Sequence, residues 1–143
     1  MFRKLDDRVS ASPQITVDDI AAAAGQGVRM IVNNRPEGES EDQTPGDTIA
    51  DAARAAGMDY VAIPITHAGF SEAQVRAMAD ALAAAQGPIL AYCRSATRST
   101  LLWALAEAST GASPDDLAAK AAAAGYDLSP IRAMLDMLSS RSG

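Results

Sequence analysis

The chain has 143 residues, 48% of them apolar and only 4% aromatic, with 18 acidic against 12 basic side chains and a net charge of −6. That length fits one domain with a full core, and an acidic chain without a Lys/Arg cluster is a poor partner for nucleic acid or an anionic membrane. The single cysteine excludes an internal disulfide, and the start, Met1 to Asp7, is basic but has no apolar stretch behind it, so it is no signal peptide and the cytoplasm is the expected location.

Short apolar runs alternate with Ala-rich helical patterns, which points to an α/β sheet built from crossover units. Val9-Ser10-Ala11 reads as a weak first strand. Thr16 is an N-cap followed by Asp18 and Asp19, opening a helix that Gly25 should end. Val28 to Asn33 is a buried strand, and the polar stretch from Asn34 to Gly46 is a loop at its carboxyl end, where α/β proteins place ligands. Asp47 to Ala56 is a short helix closed by Gly57. Tyr60 to Ile65 is the next strand, and Pro64 marks it as an edge or a strand end. Ser71 and Gln74 form a capping box for a helix to about Ala85. Ile89-Leu90-Ala91-Tyr92 is a compact strand running straight into Cys93, and Ser99 to Ser109 is helical, with Leu101, Leu102, Leu105 and Trp103 read as core. Ser113-Pro114 starts a further helix ended by Gly125, and Ser129-Pro130 repeats the device for a last helix through Leu138. Residues 1–143 therefore read as one domain, with 139–143 expected to fray.

The segment Cys93-Arg94-Ser95-Ala96-Thr97-Arg98-Ser99-Thr100 carries the chemistry. A cysteine leaving a buried strand, followed by small polar residues and a helix, meets converging backbone N–H groups and the positive end of the helix. Arg98 adds a fixed positive charge, and such surroundings favour the nucleophilic thiolate. The same cradle binds an oxyanion and stabilises charge that develops during attack. Cys93 and Arg98 are thus the candidate catalytic pair, with Ser95, Ala96, Thr97 and Ser99 lining the anion site. Ser99 or Thr100 is expected to hydrogen-bond the thiolate or cap the helix. Arg94 is open between a substrate contact and a solvated residue at the pocket mouth. The bland alternative for the loop is an ordinary core cysteine beside a solvated arginine.

Cys-Arg-Ser-x-x-Arg-Ser resembles the active loop of rhodaneses. Together with Asp7 to Ile15, Ile31 to Gly38 and Ala91 to Ser95, it makes the chain resemble, over about residues 3–138, the phosphatase-like domain family found beside metallo-β-lactamase-fold hydrolases. Members of that family are variously called sulfur transferases and phosphatases. The resemblance implies the fold of dual-specificity tyrosine phosphatases, a three-layer α/β sandwich whose central, mostly parallel sheet is flanked by helices. It also implies a metallo-β-lactamase-fold enzyme as a partner. The family carries Gly where this chain has Ala96, and a Gly there can take positive φ and let the backbone approach an anion.

Four residues separate Cys93 from Arg98, one fewer than in phosphatases of the Cys–Arg type. A shorter loop suits a single sulfane sulfur better than a phosphoryl group. The segment Ile65 to Phe70 has no carboxylate to protonate a leaving oxygen; His67, the only histidine, is either a substitute acid and anion contact or a surface residue. The sequence reading therefore puts sulfane-sulfur transfer through a Cys93 persulfide first, phosphate-ester hydrolysis through a phospho-cysteine second, and a weakly active anion- or partner-binding module third. The substrate is a small anionic or sulfane-sulfur compound, and none of these readings calls for a metal or cofactor. Arg35 is either a second cationic wall of the pocket or an ion-pair partner of the acidic loop Glu37 to Asp42.

Overall fold

In the computed structural model, which describes residues 2–142, the apolar runs assemble into one five-stranded sheet in the order β1-β2-β5-β3-β4. The strands are β1 (Arg3–Lys4), β2 (Val9–Ser12), β3 (Met30–Asn33), β4 (Asp59–Ala62) and β5 (Ile89–Tyr92). All neighbours are parallel except β1 and β2. β3 and β5 are buried along their whole length, as expected for parallel strands covered on both faces. β4 lies at the edge, and Pro64, which has no N–H, follows it between Ile63 and Ile65, whose N–H groups donate to the Asn33 and Asn34 carbonyls. β1 is too short and too charged to be read from the sequence.

The helices are α1 (Val17–Gly25), α2 (Gly46–Ala55), α3 (Glu72–Ala84), α4 (Thr97–Ser109), α5 (Pro114–Ala123) and α6 (Arg132–Ser142). Three start on side-chain caps that the sequence announces: Thr16 for α1, Ser71 for α3 and Ser113 for α5. Each cap satisfies an orphan N–H and contributes about 1 kcal/mol. Gly25 lies inside the last turn of α1, and it is Gly27, at φ 83°, that makes the left-handed exit. Ser129 does not cap the last helix. Ser129 to Ile131 form a 3₁₀ turn, with the Ser129 hydroxyl held by Asp127, and α6 begins at Arg132. α6 runs on to Ser142, with Ser139 Oγ donating to the Ala112 carbonyl and Arg141 paired to Glu72; Gly143 lies outside the described residues.

Side chains alternate along β5, so Ile89 and Ala91 join a core shared with α3, α4, α5 and α6, whereas Leu90 and Tyr92 join a second core with α1 and α2. Trp103 is fully buried in the first core, and its Nε1 donates to Asp6 Oδ2 at 3.3 Å. Burying side chains of this size contributes roughly 2 kcal/mol each. No helix among the described residues is long and apolar enough to cross a membrane.

One consequence of the register places the site. Ser12, Tyr92 and Asn33 are level across β2, β5 and β3. The residues that follow, Pro13, Cys93 and Asn34, therefore leave the sheet along one edge. Backbone bonds tie them there, from Cys93 N to Ser12 O at 3.3 Å and from Asn34 N to Tyr92 O at 2.8 Å.

Candidate active site

Cys93 sits at the carboxyl end of the central strand and is fully buried. The next residues turn across the edge of the sheet: Pro13 bridges to Ser95, and Gln14 N donates to the Arg94 carbonyl at 3.4 Å. α4 then starts with no side-chain cap. Its first N–H groups, which have no acceptor inside the helix, are left for a ligand at the loop. This is the arrangement of thiol, loop and helix end expected from the sequence.

Arg98 lies in the first turn of α4 and reaches back over the loop. Its Nη1 donates to Glu39 Oε2 and to the Ile65 carbonyl, both at 2.7 Å, and its Nη2 donates to Glu39 Oε1 at 2.8 Å. Such end-on, two-point pairing is the strongest form of an arginine–carboxylate bond. The Glu39 hydrogen bonds hold Arg98 firmly protonated, and the electrostatic pull of Cys93 adds to this. Glu39 in turn is pulled down to about 2, first by Arg98 and, against the cost of burial, by Arg35 as well. It is a carboxylate at any physiological pH.

Arg35 resolves in favour of its second reading. It is 4% exposed, donates from Nε to Glu39 Oε1 at 2.9 Å, and is further held by Gln14 Oε1 and Ser40 Oγ. It is an ion-pair partner of the acidic loop, and it touches the site through Glu39 rather than as a wall of the pocket. Ser40 passes the contact on to Asp42 at 2.6 Å, which lowers the Asp42 carboxyl.

The remaining expectations divide. Ser95 and Thr97 are exposed on the loop and their hydroxyls meet at 3.3 Å. Arg94 is exposed at the rim, near enough to Asp42 to favour that carboxylate. His67 is exposed in a turn held by Thr66, two residues beyond the Ile65 carbonyl that Arg98 grips. Ser99 is corrected: it is fully buried and its hydroxyl donates to Asn34 Oδ1 at 2.7 Å, so it faces neither thiolate nor anion. Thr100 likewise gives its hydroxyl to the Ala96 carbonyl. Ser99 and Asn34, whose Nδ2 donates to the Ile63 carbonyl, instead pin the first turn of α4 to the ends of β3 and β4. Glu39 and Asn34 were not singled out from the sequence. The signal for Glu39 was its position four residues after Arg35.

Ala96 is the only non-glycine with positive φ among the described residues, at φ 73° and ψ −11°. It adopts the backbone a glycine would, so the loop keeps its path and the strain stays in one residue. A non-glycine there costs roughly 1–2 kcal/mol. Its buried methyl returns about 0.8 kcal/mol, and a glycine would lose about 0.5–1 kcal/mol more backbone entropy on folding. These nearly cancel. Ala96→Gly is expected to shift the melting temperature by less than about 4 °C, measured by calorimetry; a larger rise would mean that strain dominates the loop.

The family described as the beta-lactamase hydrolase-like protein, phosphatase-like domain, matches residues 1–110, a span that holds the whole sheet and α4. A beta-lactamase hydrolase-like protein of Agrobacterium fabrum is 38% identical over 109 residues, which are 76% of this chain but 25% of the relative. The chain thus spans about a quarter of that relative's length. A crystal structure of a candidate phosphatase from Neisseria meningitidis Z2491 is 34% identical and superposes with a TM-score of 0.82, over 95% of this chain and 96% of the other. The structure of Tk-PTP in its active form shares the fold, with a TM-score of 0.76 at 16% identity over 98% and 97% of the two chains. The expected sandwich of tyrosine-phosphatase type is therefore the observed one, and by matched span and identity the chain belongs to the family of phosphatase-like domains of beta-lactamase hydrolase-like proteins.

Proposed function

We propose that this chain is a cysteine-dependent phosphomonoester hydrolase. Cys93 Sγ attacks phosphorus and forms a phospho-cysteine as the ester oxygen leaves; water then attacks phosphorus, frees phosphate and restores the thiolate. Arg98 and the uncapped N–H groups of α4 stabilise the negative charge on the equatorial oxygens. The observation that carries this reading is the placement of Cys93, fully buried at the end of the central strand, four residues before the uncapped start of α4 whose first turn carries Arg98. The family description and the Neisseria relative support it better than they support sulfur transfer, which reverses the order read from the sequence.

Sulfur transfer remains the second reading because the Cys93–Arg98 spacing is short. Intact-mass measurement after incubation with p-nitrophenyl phosphate, and separately with thiosulfate, decides between them. A phosphoryl adduct on Cys93 with turnover of the aryl ester is expected. A single added sulfur without any phosphoryl adduct would put sulfur transfer first, and neither adduct would leave the binding-module reading. Aryl esters should turn over faster than alkyl esters, since no carboxylic acid stands on the His67 turn to protonate a poor leaving group. A hydrolase of metallo-β-lactamase fold is proposed as the partner, on the resemblance and the printed name of the longer relative. Co-purification of the two proteins tests it.

A further inference from the structure

We propose that the groove between α3 and α6 is a second binding site, separate from the Cys93 loop, and that it takes a monocarboxylate with an apolar chain of medium length. α3 and α6 both pack on α4, and between them lies a cavity of about 340 Å³. Cavities of roughly 300–1,000 Å³ are the size that holds small ligands. At about 30 Å³ per heavy atom, the share of a water molecule in the liquid, this one takes about eleven heavy atoms, close to octanoate. Its deeper walls are apolar. Val75 is buried, and Phe70, Ala79, Met134 and Leu138 are half-buried, each packed on the first core. Met137 also lines the cavity and is 46% exposed, one of two large hydrophobics that the described residues leave in water. Methionines let such a wall adapt to a flexible chain.

The charged residues of the groove select the head group. Arg141, on α6, pairs with Glu72, on α3, at 3.2 Å. Arg76 stands one turn beyond Glu72 and lines the same cavity, yet it has no hydrogen bond or ion pair among the described residues. With Glu72 taken by Arg141, the lining keeps one unmatched positive charge in a chain of net charge −6. A carboxylate meets a guanidinium fork with two parallel hydrogen bonds. A phosphate dianion would bring a second charge with no cation left for it. The α6 wall lies beyond residues 1–110, the span that the family matches.

The test is calorimetric titration of the full chain with sodium octanoate, sodium butanoate and octanol. It compares wild type, Arg76→Gln, Ala79→Leu and Arg98→Ala, with melting curves for each. Wild type should bind one octanoate. Butanoate, four methylenes shorter, should bind roughly a hundredfold more weakly. Arg76→Gln should weaken octanoate roughly tenfold and leave octanol unchanged, because only the charged head meets the arginine. Ala79→Leu, which fills the groove, should abolish binding, and Arg98→Ala should leave it as it is. Absence of saturable octanoate binding in wild type overturns the proposal, as does equal binding in Arg76→Gln. Loss of binding in Arg98→Ala would put the carboxylate at the Cys93 loop and overturn it too. If Ala79→Leu does not fold, the exposed Arg76 position still decides. A dimer in sedimentation that Met137→Lys disperses, with no octanoate bound, would give the groove to a second copy of the chain. Binding to phosphatidylglycerol vesicles, with no octanoate bound, would give it to a lipid surface. Either result overturns the proposal.

Discussion

Cys93→Ser is expected to lower turnover of an aryl phosphate by at least about 10⁴-fold while leaving the fold and anion binding in place. The serine hydroxyl is close to the thiol in size, so the fully buried position admits it without opening a cavity. Chemistry makes the difference: sulfur is intrinsically a far stronger nucleophile than a neutral alcohol oxygen. Phosphate should still bind, because its contacts are Arg98 and the loop N–H groups. The check is steady-state hydrolysis alongside calorimetric titration with phosphate on the same preparation. Hydrolysis that survives in the serine variant would mean that Cys93 is a core residue and that the reacting group lies elsewhere.

Arg98→Ala should reduce kcat/KM by about 10³-fold, the scale for losing a donor aimed at developing charge. Arg98→Lys should recover only a small part. Lysine keeps the charge but offers no fork, so it cannot hold Glu39 from one edge and an oxyanion from another. The same variant has a separate signature in acid. Glu39 is held at about 2 against an ordinary 4.5, so its carboxylate stabilises the fold fully above about pH 4.5, and that contribution is lost as the pH falls through about 2. Arg98 is the leading cause of the shift. In Arg98→Ala the contribution should shrink, and the melting temperature should fall less steeply between those pH values than in wild type. Equal acid profiles would show that the pair is screened and adds nothing to stability.

How much of this was legible beforehand depends on the range of the interaction concerned. The caps of α1, α3 and α5, the buried runs of β3 and β5, and the edge character of β4 follow from residues within a few positions of one another, because capping bonds, period-2 burial and the missing N–H of proline are local effects. So does the loop itself. A cysteine at the end of an apolar run, then small residues, then a helix, keeps thiol and helix start within a few residues of each other. The glycine-like backbone at Ala96 came instead from the resemblance, whose family carries Gly there, and φ 73° is the conformation such a glycine would take. β1 and the 3₁₀ turn at Ser129 escaped because each is too short to show a period.

The decisions at the site were of another kind. Arg98 and Glu39 are 59 residues apart, and Ser99 and Asn34 are 65 apart. Their meeting depends on β3 lying beside β5 with Asn33 level with Tyr92, a register that no local pattern encodes. The sequence by itself determined the α/β elements, the Cys93–Arg98 loop and its likeness to phosphatase and rhodanese loops alike. Only the tertiary structure decided that Ser99 serves the scaffold, that Arg35 is a buried counter-ion, and that Glu39 grips the arginine. The reason is that a side chain's hydroxyl or charge goes to whichever partner folding brings within about 3 Å, and chain topology alone chooses that partner.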